Sequence, residues 1–277
     1  MVLAVLQGAS ELFPVSSLGH TVLVPALLHW TFDRSEPTFL AFVVALHLGT
    51  ALALVIFYRR DWIRIVRALW ASVVRGSLSA DADERIGWLL VVGTIPVALL
   101  GVFLEQPVRR FFGSSALVAG FLILNAFVMF AGEALRRRQL SAASTQPLAE
   151  LSWAGAVRVG FAQSAALLPG ISRSGASIVA GLLLRLSHDD AARYSFLLAT
   201  PVIVAASLLE VPKLFAPQAQ AVLAQSTAGA ALAAVTAYAS VAFLTRWFHS
   251  HDLRPFGWYC LLFGSLSLAL ALAKVIT

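Results

Sequence analysis

The chain has 277 residues, of which 59% are apolar and only 12% are Asp, Glu, Lys or Arg. A soluble domain carries about 25% charged residues, so this composition excludes a disordered chain, a collagen and an ordinary soluble enzyme. The net charge of +6 rests on 18 Arg and 2 Lys, so the placement of those residues decides between nucleic acid and membrane as its meaning.

Residues 1–30 are apolar but interrupted by Gln7-Gly-Ala-Ser-Glu11-Leu-Phe-Pro14-Val-Ser-Ser-Leu-Gly-His20. The region has no basic start and carries Glu11 inside its apolar part, so it does not read as a signal peptide. Polar, non-helical backbone at membrane depth is tolerated only when buried in protein or lining a wet cavity. A re-entrant hairpin is therefore expected. Spans of roughly 20 apolar residues follow at about 38–58, 86–104 and 115–134. Between the first two, residues 62–75 have the amphipathic pattern of a helix lying along the inner surface. Residues 153–184 are a second interrupted region, broken at Pro169-Gly-Ile-Ser-Arg173-Ser-Gly175, and predict a second hairpin whose later arm starts near Ser177. Three further spans are expected at about 193–209, 221–244 and 256–276. Ser187 before His188-Asp-Asp190 reads as a capped helix start with acids near its positive end. His249-x-His251-Asp252 has metal-ligand residue types but no third ligand in view. The lone Cys260 excludes an intramolecular disulfide and reads as a small apolar packer.

Each half thus holds one interrupted hairpin followed by three spans. A shift of 156 positions lays Gln7 on Gln163, Ala9 on Ala165, Leu12 on Leu168, Ser16 on Ser172 and Gly19 on Gly175. A hairpin keeps the chain on one side and three spans carry it across, so the second half begins on the opposite face. The expected fold is an all-α polytopic membrane protein: one domain, 1–277, with six spanning helices and two re-entrant helical hairpins in an inverted-topology repeat (1–135 and 150–277). This topology puts Arg59, Arg60, Arg64, Arg67, Arg75, Arg85, Arg136, Arg137, Arg138, Arg185, Arg193, Arg246 and Arg254 on one face. The other face receives Arg34, Arg109, Arg110, Lys213 and Lys274. The first set marks the cytoplasmic side, and both chain ends face outward. Orientation in the membrane accounts for the basic charge, so no nucleic-acid partner is expected.

Ionisable groups inside a membrane are functional candidates by default. Glu11, His20, His47, Arg158 and Arg173 qualify. In the second hairpin, glycines, hydroxyls and one permanent cation precede a helix N-terminus, which together suit an anion, with phosphate the natural one. The alternative is a structural Arg173 paired to Glu11. In the first hairpin, Ser17 and His20 are three apart and share a face of a helical turn, as a nucleophile and its base would. The alternative is that Ser16 or Ser17 simply caps the helix. Gln7 and Glu11, four apart, offer an amide oxygen and a carboxylate to Mg²⁺ or Ca²⁺.

The two motifs, together with Tyr194-Ser-Phe-Leu-Leu-Ala-Thr-Pro201 and Leu46-His-Leu-Gly-Thr50, resemble those of the undecaprenyl-diphosphatase family, the bacitracin-resistance phosphatases. The resemblance covers nearly the whole chain. It implies hydrolysis of undecaprenyl diphosphate to the monophosphate carrier lipid used for peptidoglycan and other envelope polymers. It also implies a divalent cation, a bacterial inner-membrane location and a site opening to the outer face. Carried over by motif position, Ser17 resembles the nucleophile, His20 the base, Arg173 the phosphate clamp, and Glu11 a further catalytic or metal-binding group. Ser172, Ser174, Gly175 and Ser177 complete the expected phosphate-binding set. The chain departs from the family pattern at Gln7, where Glu is frequent, at Ser177, where Thr is common, and at His47, where Gln is frequent. The expected partners are a polyprenyl diphosphate lipid and the bilayer, with a homo-oligomer left open. A lipid flippase or transporter is the alternative, because inverted repeats with opposed hairpins are transporter architecture.

Overall fold

A computed structural model describes residues 1–30, 37–109, 113–140, 144–210, 220 and 222–276. Arg34, Arg110 and Lys213 lie outside the described residues. Among the described residues the chain is helical throughout, with no strand. The helices are α1 (Val2–Ser10), α2 (Ser17–Leu27), α3 (Pro37–Phe57), α4 (Arg59–Arg75), α5 (Ala82–Arg109) and α6 (Ser115–Leu140). They continue with α7 (Trp153–Ser164), α8 (Arg173–Leu183), α9 (His188–Glu210), α10 (Leu223–Trp247) and α11 (Arg254–Leu272).

Among the described residues, five helices are long and apolar enough to cross a bilayer: those over Ala82–Leu104, Ser115–Gln139, His188–Leu208, Leu223–Trp247 and Arg254–Leu272. The sixth candidate joins Ala41–Phe57 to Arg59–Arg75, bent by 82° at the break. The bend separates an apolar α3 from an amphipathic α4. On α4, Ile63, Val66, Trp70, Val73 and Val74 are exposed at helical spacing, while Ile65 is buried. That apolar outer face fits a helix seated at the membrane surface.

The four hairpin arms α1, α2, α7 and α8 have 9 to 12 residues. At 1.5 Å per residue they reach about 14–18 Å, roughly half of a bilayer core. Each hairpin therefore depends on neighbouring spans for burial. Arm α1 packs against α10 and arm α7 against α5, while α3 packs on α10 and α6 on α11. Leu12, Leu23, Leu54, Leu122, Met129, Tyr194 and Phe196 fill the core between them. Leu99, Phe103, Phe127, Val235, Leu262 and Leu266 point outward from the spans, as lipid-facing residues do.

The basic residues also tie elements together. Arg64 bonds Asp61 at 3.1 Å and Asp83 at 3.0 Å, and Arg193 bonds Asp61, so α4, α5 and α9 share one ionic cluster. Buried Glu133 on α6 accepts from His188 Nε2 at 2.7 Å and from the Leu253 N–H at 3.0 Å. Ser187 caps α9 by accepting from the Asp190 N–H at 3.0 Å. His251 stacks on Trp247, and the described residues contain no group of three or more His, Cys, Asp or Glu placed to hold a metal ion.

Candidate active site

The two interrupted segments repeat one local design at the 156-residue shift. Ser16 precedes α2 and its side chain accepts from the Gly19 N–H; Ser172 precedes α8 and accepts from the Gly175 N–H. The first helical residue is Ser17 in one case and Arg173 in the other. Helix α8 starts at Arg173 and not near Ser177, because Ser172 supplies the cap and draws the first turn four residues earlier. Two helix N-termini thus present a hydroxyl and a guanidinium at equivalent positions. Both line one cavity of about 150 Å³, together with Glu11, His47, Gln163 and Ser172.

Buried hydrogen bonds hold the two breaks together. Asn125, fully buried on α6, donates to the Pro14 carbonyl at 3.1 Å and accepts from the Ser172 N–H at 3.0 Å. Ser16 Oγ also accepts from the Gly170 N–H at 3.2 Å. Gly170 has φ +115°, and a Cβ there would run into the Val118 carbonyl, so only glycine suits this crossing. Ser16 has φ +67°, a strained value for a residue with a Cβ. His20 braces it: Nδ1–H donates to the Ser16 carbonyl at 2.7 Å, and Nε2 accepts from the Tyr259 hydroxyl at 2.7 Å.

Ser17 Oγ donates to Glu11 Oε2 at 2.5 Å. His20, whose ring nitrogens are both engaged and which does not line the cavity, is not brought to Ser17. The residue positioned to take the Ser17 proton is Glu11. Gln7 turns its amide nitrogen to Glu11 Oε2 at 2.9 Å and to His47 Nε2 at 3.2 Å. His47 donates from Nδ1 to the Val43 carbonyl at 2.9 Å, which leaves Nε2 as the acceptor for Gln7. On the other side of Glu11, Arg173 Nη2 reaches Oε1 at 3.5 Å and the Glu11 carbonyl at 3.4 Å. These contacts are long, and Nε and Nη1 of Arg173 are buried without a partner. A guanidinium has five N–H donors in a planar fork, so most of its capacity is unspent.

Other expected phosphate contacts face elsewhere. Ser174 Oγ donates to the Phe13 carbonyl at 3.1 Å, and Ser177 Oγ bonds the Arg173 carbonyl at 2.8 Å and Ser195 Oγ at 2.6 Å. Neither they nor Gly175 line the cavity; they hold the hairpin that presents Arg173. The donor set at Gln7 and Glu11 does not fit a cation held by the protein alone. It offers one carboxylate, already faced by Arg173, and an amide that presents N–H rather than oxygen. A larger cavity of about 560 Å³, among Arg136, His188, Trp247 and His251, shares no lining residue with the Ser17 cavity.

The family model described as bacitracin resistance protein BacA matches residues 1–266. Undecaprenyl-diphosphatase 2 of Chromobacterium violaceum is 47% identical over 272 residues, covering 97% of this chain and 96% of the relative. Undecaprenyl-diphosphatase of Mycobacterium avium is 47% identical over 290 residues, covering 97% and 95%. Undecaprenyl-diphosphatase of Acidiphilium cryptum is 46% identical over 272 residues, covering 96% and 95%. The chain belongs to the BacA family.

For this BacA-family chain, sequence reading missed Asn125 and Tyr259, which touch the hairpins from α6 and α11. Each is a lone polar group in an apolar span, and the helical pattern alone does not reveal its partner. Replacing Asn125 by Ala strands the Ser172 N–H inside the protein, at about 1–3 kcal/mol for a buried unsatisfied group, and leaves the Pro14 carbonyl only the long Cys260 thiol contact at 3.8 Å. The expected result is a lower unfolding temperature in detergent together with a loss of any activity that needs both breaks. An unchanged melting curve would contradict the bridging role.

Proposed function

We infer that this chain is a membrane phosphatase that cleaves the terminal phosphate from undecaprenyl diphosphate, releasing inorganic phosphate and the monophosphate carrier lipid. One observation carries the reading in a BacA-family chain. Ser17 is hydrogen-bonded to Glu11, and Glu11 faces the unspent guanidinium of Arg173, all in one cavity. Ligand pockets for whole small molecules run to about 300–1,000 Å³. A cavity of about 150 Å³ therefore holds a phosphoryl head and leaves the polyprenyl tail to the bilayer.

Glu11 takes the proton of Ser17 as Oγ bonds to the terminal phosphorus. The bridging P–O bond breaks in line, and its electron pair leaves with the lipid monophosphate. Glu11 passes its proton to that leaving oxygen. Ionised again, it takes a proton from the water that attacks the phosphoserine. As the P–Oγ bond breaks, Glu11 returns that proton to Ser17. Arg173 and the N-terminus of α8 offset the charge on the phosphoryl oxygens. His20 positions the Ser16–Ser17 corner through the Ser16 carbonyl. A divalent cation, implied by the family resemblance, would have to enter with the diphosphate and would supply further neutralisation of its charge.

The thirteen-to-five division of basic side chains supports an inner-membrane orientation with both termini and the cavity mouth on the outer face. The test is phosphate release from undecaprenyl diphosphate by purified protein, with an impermeant label on a terminal cysteine reading sidedness in intact cells. Phosphate release and outside labelling are expected. Lipid movement across vesicles without phosphate release would favour a flippase instead.

A further inference from the structure

Gln163 is the sequence counterpart of Gln7 at the 156-residue shift, yet the two amides have opposite fates. Gln7 spends its nitrogen on Glu11 and His47. At the same shift those two partners become Leu167 and Ile203, which offer nothing polar. Gln163 is 1% exposed, and both Nε2 and Oε1 lack a hydrogen-bond partner. It lies in the last turn of α7 and lines the cavity that holds Ser17, Glu11 and Arg173. Leu18, Val97, Ala166, Leu167, Ile171 and Val202 form the apolar part of the same lining. An amide buried without partners is destabilising, so a position that keeps one calls for a ligand to complete it.

We propose that Gln163 is a substrate-binding residue of this site: its amide N–H donates to a phosphoryl oxygen of the bound diphosphate. Its Oε1 accepts from a protonated phosphate oxygen or from a water that enters with the substrate. The proposal rests on the phosphatase reading and deepens it. Arg173, at the start of α8, supplies the permanent charge, and Gln163 supplies a neutral donor from α7. Anion recognition is thus concentrated in the second hairpin. Glu11 and Ser17 in the first hairpin supply the acid–base and nucleophilic groups. The first-hairpin amide is tied to the carboxylate and the second is free for the anion.

The experiment uses full-length protein in detergent and three variants: Gln163→Leu, Gln163→Glu and Gln163→Asn. A hydrogen bond to a charged group is worth enough to change kcat/KM by about tenfold to a hundredfold. Gln163→Leu is expected to lose phosphate release by that factor. It is also expected to unfold at an equal or higher temperature without substrate, because an unsatisfied amide has been removed. Inorganic diphosphate is expected to raise the melting temperature of the wild type more than that of Gln163→Leu. Gln163→Glu is expected to be nearly inactive at neutral pH, where a carboxylate faces the phosphate, and to recover as acid protonates it into a donor. Gln163→Asn, too short to reach, should fall between Leu and wild type.

Leu and Glu variants that match the wild type in rate and pH profile would overturn the proposal and leave the amide as a group satisfied by water alone. A Leu variant that loses activity only in step with lost thermal stability would overturn it too. A wild type that releases no phosphate from undecaprenyl diphosphate, yet gains stability from inorganic diphosphate through Gln163, would sink the phosphatase reading while supporting the anion contact.

Discussion

Replacing Arg173 by Ala is expected to abolish phosphate release almost completely. Among the described residues, Arg173 is the one Lys or Arg that lines the Ser17 cavity, and it stands at the first position of α8. A diphosphate entering a low-dielectric pocket brings charge that this guanidinium offsets permanently. Phosphoryl transfer depends mainly on positioning and charge neutralisation, and an arginine placed on the transferring group is worth about 10³–10⁵-fold in rate. A loss of about 10³-fold or more in kcat/KM is therefore expected. Substitution has a second consequence: Glu11 loses its cationic neighbour 3.5 Å away while remaining buried. Arg173→Lys separates the two effects. It keeps a charge beside Glu11 but loses the planar fork, so an intermediate loss of about 10–100-fold is expected, with near-normal thermal unfolding. Phosphate release and unfolding curves on the same preparations check both. An Ala variant that is folded and retains a near-wild-type rate would remove Arg173 from the chemistry.

The parts of this arrangement that were legible in the sequence are those that interrupt a strong pattern. Long apolar stretches mark the spans, and Gln7, Glu11, Pro14 and Arg173 stand out because the surrounding sequence is apolar. The amphipathic helix after the first span was legible for the same reason, and it appears as α4 at 82° to its predecessor. What was not legible depends on contacts between distant residues. Spacing puts Ser17 and His20 on one helical face, but the ring of His20 is captured by Tyr259, 239 positions away. Ser174 and Ser177 read as phosphate ligands by residue type, whereas their hydroxyls are spent on Phe13 and Ser195. The apolar segment suggests a start near Ser177, whereas α8 begins at Arg173 behind the Ser172 cap. Ser172 is distinguished by its Oγ, which accepts from the Gly175 N–H, and by its own N–H, which donates to Asn125. The identity of Gln7 and Gln163 was visible, but the difference between them was not, since it lies in the neighbours each one meets.

Ser17 and Glu11 are expected to fail as a unit. The 2.5 Å hydrogen bond makes Ser17 the donor and Glu11 the acceptor, so the geometry for proton removal exists before substrate binds. Ser17→Ala removes the oxygen proposed to attack and leaves the Glu11–Arg173 pair in place. A fall of about 10³-fold is expected, of the order seen when a nucleophile is deleted but charge stabilisation remains. Glu11→Gln keeps the shape and removes the base, with an expected loss of about 10²–10⁴-fold. It also leaves Arg173 without its carboxylate, so some loss of thermal stability accompanies it. The double variant is expected to be no slower than the worse single variant, because each change already disables the same step. Phosphoserine is the chemical readout: rapid quenching of the wild type with substrate labelled at the terminal phosphate should transfer label to protein at Ser17. Neither Ser17→Ala nor the double variant should take up label. If Ser17→Ala retains a rate within a few-fold of wild type and no labelled protein forms, attack falls to a water held by Glu11. Ser17 is then the residue that orients that carboxylate.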